Sequence, residues 1–253
     1  MPAMLDDLIA QVLTLEIKLL SCRARLEAGT DGEALHDLRI NTRRLRSLLR
    51  PLRDLPAAQV LNEAAREVGA LSTPLRDLEV LIVELESHGL AHLAEPRRQR
   101  LREGYLALLA APALAQLFRV LDAWPQLLRI SHREGLLVKP RKTIRKRLAK
   151  DWQRLEQALA DPSHDRHRLR LLIKRVRYGG DAYPQLVETS AKAQRLLKGA
   201  QAALGKWHDR LQWLLIAEQE PDLAPRVKAW RVAMHGAEVR SDRVLDKLQA
   251  SLG

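Results

Sequence analysis

Two short segments hold the side chains best suited to chemistry. The first is Leu35-His36-Asp37-Leu38-Arg39-Ile40-Asn41-Thr42-Arg43-Arg44-Leu45-Arg46, and the second is Arg166-His167-Arg168-Leu169-Arg170-Leu171-Leu172-Ile173-Lys174-Arg175-Val176-Arg177. On a helix turning about 100° per residue, His36, Arg39, Arg43, Arg46 and Arg50 share one stripe about 80° wide. Leu38, Thr42, Leu45, Leu49 and Leu52 form the stripe beside it and predict a core-facing side. His167, Arg170, Lys174 and Arg177 repeat the row, with Leu169, Ile173 and Val176 as its packing side. Like charges three and four residues apart repel, and the first row contains no acid. Either acids from a neighbouring helix or a bound anion must compensate.

Arginine supplies every cation of these rows except Lys174. A planar guanidinium grips phosphate oxygens in pairs, so the chemistry indicated is recognition of phosphate. Arg44 and Arg175 point away from the rows and suit surface contacts. Asp181 stands where Arg50 stands in the first row, within reach of Arg177 or Lys174. One helical histidine is more often a packing residue than a ligand, but two at matching positions, each heading a row, are read as anion contacts.

Other chemistries fit less well. Neither His-x-x-Arg motif offers a second metal ligand at helical spacing, and His88 and His92 are separated by Gly89 with no cysteine near, so no metal is expected. Asp77 and Asp209 suit bracing an arginine of the motif helices better than catalysis. Phosphoanhydride chemistry needs a metal held by clustered carboxylates, which the rows lack. No Gly-rich phosphate loop is present. The expectation is a binding protein with no cofactor. Nucleic acid is the alternative partner, but the rows contain no aromatic residue for base stacking.

The elements that must position these rows read as helical throughout. Apolar residues recur at helical spacing between Pro and Gly punctuation, with no convincing strand alternation. Helices are expected over about 6–28, 33–51, 57–71, from Pro74 with Ser72 or Thr73 as cap, 96–111 and 112–130. After a break at 132–135 they continue over 140–160, up to Tyr183-Pro184 after a break at 161–163, then 185–204, 206–218 and from Pro225 to 248. The composition agrees: 253 residues, 46% hydrophobic and only 4% aromatic, rich in the unbranched residues that helices favour. A net charge of +12 calls for a polyanionic partner. The one cysteine, Cys22, sits among leucines and reads as a buried small residue in a cytoplasmic protein. The acidic start at Asp6-Asp7 is unlike a signal peptide. No apolar run is long enough to span a membrane.

The two halves repeat. The row histidines are 131 residues apart. Arg25-Leu26-Glu27-Ala28 returns as Arg154-Leu155-Glu156-Gln157, and Arg76-Asp77-Leu78 as His208-Asp209-Arg210-Leu211. Collinear matches at nearly constant offset indicate an internal duplication, 1–131 and 132–253, giving an all-α fold of two pseudo-symmetric helical bundles. Lys18 and Arg25, their counterparts Arg147 and Arg154, and Arg141, Lys142 and Arg145 are candidates to flank the rows.

The paired motifs His36-x-x-Arg39 … Arg43-Arg44-Leu45-Arg46 and His167-x-x-Arg170 … Lys174-Arg175-Val176-Arg177-Tyr178 resemble the CHAD family, the conserved histidine α-helical domain. Arg76-Asp77-Leu78 and Leu204-Gly205 … His208-Asp209 match its usual following segments. The resemblance spans almost the whole chain. It implies binding of inorganic polyphosphate in a basic central groove lined by His36, Arg39, Arg43, Arg46, His167, Arg170, Lys174 and Arg177, and association with polyphosphate granules. Three departures stand out. There is no length for the triphosphate-processing domain that precedes many members, Gly179-Gly180 follows Tyr178 where a helix former is expected, and His208 replaces the counterpart of Arg76.

Overall fold

The computed structural model describes residues 2–161 and 165–252, and every regular element among them is helical. In order these are α1 (Pro2–Ala28), α2 (Ala34–Leu49), α3 (Pro56–Ser87), α4 (Ala91–Ala110) and α5 (Pro112–Arg133), then α6 (Pro140–Leu159), α7 (Arg166–Ala182), α8 (Ala191–Gln219) and α9 (Ala224–Leu252). Short 3-10 turns occupy Arg50–Leu52 and Pro221–Leu223. The all-α expectation holds for the described residues. Of the break expected at 161–163, Pro162 and Ser163 lie outside them. The chain divides into two compact units, Met1–Ile144 and Arg145–Gly253, so the division falls inside α6.

In the first unit the apolar stripe of α2 is fully committed to packing: Leu38, Thr42, Leu45, Leu49 and Leu52 are all buried, as the periodicity requires. Trp124 of α5 is completely buried and donates its indole N–H to the Ala57 carbonyl at 3.0 Å, which satisfies its one polar atom and ties α5 to the first turn of α3. In the second unit Leu169, Ile173 and Val176 of α7 pack among Leu155 of α6, Leu204 of α8 and Leu245 of α9. Burying each such side chain stabilises the fold by about 1.5–3 kcal/mol. A two-point ion pair from Arg166 to Asp242, at 3.0 and 2.7 Å, fastens the start of α7 to α9.

The structure corrects four expected boundaries. α3 does not break at Pro74 but runs through it. Proline removes one helical hydrogen bond, a cost of about 3 kcal/mol. Buried residues before and after it, Val68 and Ser72 and then Glu79 and Leu81, hold one continuous face against the core and outweigh that cost. Ser72 and Thr73 are therefore not caps: their hydroxyls donate back to the Gly69 carbonyl at 3.3 and 2.7 Å. Gly205 likewise leaves α8 unbroken, because a single helical glycine costs only about 1 kcal/mol and buried Leu204 and Trp213 keep the helix docked. That helix starts at Ala191, later than expected, where Ser190 caps it by accepting from the Ala193 N–H at 3.1 Å. α4 starts at Ala91 ahead of Pro96, its first turns held by buried Ala94 and Arg97.

The adjacent glycines of α7 have opposite packing demands. A Cβ on Gly179 would stand 2.8 Å from Leu148 Cδ2, inside a buried contact with α6, whereas one on Gly180 would meet nothing within 4 Å. Gly180→Ala should therefore stabilise the protein by about 0.5–1 kcal/mol through helix propensity. Gly179→Ala should destabilise it by about 1–3 kcal/mol through overpacking. Urea denaturation of the two variants checks the opposed signs.

Candidate anion-binding site

In the first unit the row lies where the helical projection puts it. His36, Arg39 and Arg43 are half-buried beside the packed face of α2, Arg46 is exposed, and Arg50 is half-buried in the 3-10 turn that follows the helix. The charges press on one another. Arg43 and Arg76 act on Arg39, and Arg66 and Arg50 act on Arg46. Partial loss of hydration first, and then these like charges, pull both guanidiniums below the usual arginine range, Arg46 included although much of that residue stays exposed. Asp77 and Glu79 favour the charge on Arg39.

Arg39 is also a structural staple. Its Nη1 donates to the Gly69 carbonyl at 3.3 Å, Ser72 Oγ at 3.1 Å and Thr73 Oγ1 at 2.9 Å, all on α3 one turn before Pro74. The Ser72-Thr73 pair that reads as a helix cap is the acceptor set for a row arginine. Behind it, Arg76 donates to the buried carboxylate of Glu79 at 2.7 Å, and the Tyr105 hydroxyl donates to the same carboxylate. Burial next to that charge pushes the Tyr105 phenol well above its ordinary value. Sequence reasoning missed Glu79 and Tyr105, which lie on different helices and share no local pattern.

The flanking candidates separate. Lys18 is exposed on α1. Arg25 is engaged by two carboxylates, donating through Nε to Asp31 at 2.6 Å and through Nη1 to Asp37 at 2.8 Å. These bonds hold the Arg25 pKa up and staple the end of α1 to α2. Arg25→Ala should therefore lower thermal stability while changing anion affinity by less than about twofold, measurable by melting and binding titrations on one preparation. On α6, Arg141, Lys142 and Arg145 are exposed, Arg147 is half-buried, and Arg154 stands 3.6 Å from Asp151.

In the second unit the row of α7 has an exposed His167 and half-buried Arg170, Lys174 and Arg177. Arg177 Nε stands 3.9 Å from Asp181, the pairing that the sequence indicated. α8 adds a side chain to this face. The His208 ring centroid is 6.3 Å from that of His167, and Gln201 of α8 donates to the Tyr178 hydroxyl at 3.2 Å. The two helices thus run antiparallel, with His208 opposite the start of α7. Its place in the repeat marked His208 as an aligned position, though not as a neighbour of the row.

Burial, followed by the charges of Arg170, Lys174 and His167, holds the His208 imidazole at about 4 against an ordinary 6.5. A folded-state pKa below the unfolded value means that the native state binds fewer protons between those two pH values. The stabilising contribution is thus complete above pH 6.5 and is lost as the pH falls to about 4. With half-exposure discounted, its loss amounts to about 1–2 kcal/mol. His208→Asn should flatten the acid limb of the stability–pH curve by that amount in urea titrations.

His88 closes α3 with its Nδ1 2.8 Å from the Glu84 carbonyl, and among the described residues no three of His, Cys, Asp and Glu gather as a metal site. Cys22 is buried, its thiol pushed up by that burial and approached by Asn41 Nδ2 at 3.7 Å. No single helix among the described residues is long and apolar enough to cross a membrane.

No curated protein matches the chain. A crystal structure of the CHAD domain from the plant Ricinus communis superposes with a TM-score of 0.73 over 98% of this chain and 91% of that one, at 22% sequence identity, which shows a shared fold. The family model of the CHAD domain matches residues 11–217, most of the chain and both histidine-headed helices. By that match, the chain belongs to the CHAD family.

Proposed function

We propose that the chain binds inorganic polyphosphate without chemically altering it, through the cationic faces of α2 and α7, and that it resides in the cytoplasm on polyphosphate granules. The observation that carries this reading is the cationic face of α2, where Arg43 and Arg76 press on Arg39 and Arg66 and Arg50 press on Arg46, with Asp77, Glu79 and Glu63 offsetting part of that repulsion. A phosphate polymer relieves that repulsion along its whole length. Polyphosphate binding is a general property of the CHAD family, which supports the choice of anion.

The second row supports a duplicated site. In each half a helix leads to a short motif helix, α2 or α7, and then to a long one, α3 or α8. The reading extends to one polymer engaging both rows. The test is competition at matched charge among polyphosphate, single-stranded RNA and duplex DNA for the purified full chain. Polyphosphate should displace both nucleic acids; the reverse order would transfer the assignment to a nucleic-acid binder. Phosphate release from polyphosphate on adding Mg²⁺ or Mn²⁺ would overturn the non-catalytic part. A fluorescent fusion spread evenly through granule-bearing cells would overturn the location.

A further inference from the structure

His208 stands beside the α7 row, and the binding reading gives it no part. Its Nδ1 is buried and has no hydrogen-bond partner among the described residues. The ring is half-buried, 6.3 Å from His167 and 6.4 Å from Trp207 between centroids. It faces the first turn of α7, where the helix dipole is positive. The charged and titratable groups that act on it, among the described residues, are Arg170, Lys174 and His167, all on α7. Its own helix places Asp209 and Arg210 next to it in the chain. Such a setting keeps an imidazole neutral in the free protein and leaves one ring nitrogen without a bond.

We propose, resting on the polyphosphate reading, that His208 is a proton-linked contact of the second row: when a phosphate polymer occupies the α7 face, the ring takes a proton from solvent and holds the polymer as an imidazolium. The anion supplies both things the free protein lacks there. Its charge cancels that of Arg170 and Lys174, which removes the electrostatic bar to protonation. Its oxygens accept from the Nε2–H of the imidazolium, the buried Nδ1 lying out of the polymer's reach. Protonation and binding then strengthen each other, since linkage is reciprocal. In the first unit the position matching His208 is Arg76, already bonded to Glu79 at 2.7 Å. Acid sensitivity should therefore reside in the second row.

The experiment uses the full chain and long polyphosphate, whose internal phosphoryl groups stay ionised throughout. Restoring the ring to an ordinary histidine value on binding should raise affinity about 30-fold between about pH 8 and about pH 5, and His208→Asn should lack this gain. Calorimetry at about pH 5.5 in buffers of different ionisation heat should count close to one more proton taken up by the wild type than by the variant. The difference between the two should be smallest at about pH 8, where the ring is neutral. In case the variant folds poorly, histidine-ring NMR of the wild type gives an independent reading: the His208 signal should titrate near 4 without polymer and above 6 with it. An unchanged titration, or identical pH slopes and proton counts for the two proteins, would overturn the role of His208 while leaving polyphosphate binding intact. Absence of saturable binding by the wild type at every pH would instead refute the polyphosphate reading itself.

Discussion

Replacing Arg43, Arg46, Arg170 and Lys174 together by glutamine lowers the affinity for long-chain polyphosphate by about three to four orders of magnitude. Each side chain lies on a cationic row with some solvent exposure, where a charge-assisted bond to phosphate contributes about 1–1.5 kcal/mol beyond the water it replaces. The salt dependence carries the more specific signature. Counterions leave the polymer for each phosphate neutralised, so removing four contacts should make the slope of log K against log salt shallower by about three. A variant that lost affinity but kept its slope would have lost its fold or its geometry, and the rows would not be the contact surface. Arg39 is left out of the set because its Nη1 holds α3 at Gly69, Ser72 and Thr73. Its removal would mix a stability effect into the binding result.

Polymer length gives the second large effect. If one polymer engages both rows, the second engagement is intramolecular, and affinity should rise by about 10²–10⁴ once the chain is long enough to reach it. Neutralising Arg170 and Lys174 alone should abolish that step, leaving only the slow rise from more binding positions per chain. Binding isotherms for size-fractionated polyphosphates, run on the wild type and on this single-row variant, make the comparison. A length step that survives in the single-row variant would show that the two faces act separately.

Much of this was legible before any coordinates. The stripe of α2 that reads as core is buried residue by residue, and the row beside it keeps its cations at the surface or half-buried. Both follow from the 3.6-residue period, which the helix imposes regardless of what surrounds it. The punctuation was less reliable. Pro74, Gly205 and Pro96 each carry a local signal to break, and each is overridden by buried residues on both sides of it. A local penalty of about 1–3 kcal/mol is small against the burial of several leucines.

The partners of individual charges were the least legible. Arg25 and Arg39 look alike as members or neighbours of a cationic row. Yet Arg25 is held by Asp31 and Asp37, and Arg39 by hydroxyls and a carbonyl on another helix. Glu79 and Tyr105 meet around Arg76 across 26 residues of sequence.

By itself the sequence determined the helical class, the two histidine-headed rows, their arginine character and the family, because each depends on residue type and spacing along one chain segment. Only the tertiary structure decided which cations are already satisfied and which ring stands neutral among them. Those outcomes depend on what the neighbouring helices bring within about 3 Å, and on how much water burial removes. The two rows entered as equivalent copies. Packing against α3 ties an arginine of the first to structure, and packing against α8 gives the second an acid-sensitive histidine.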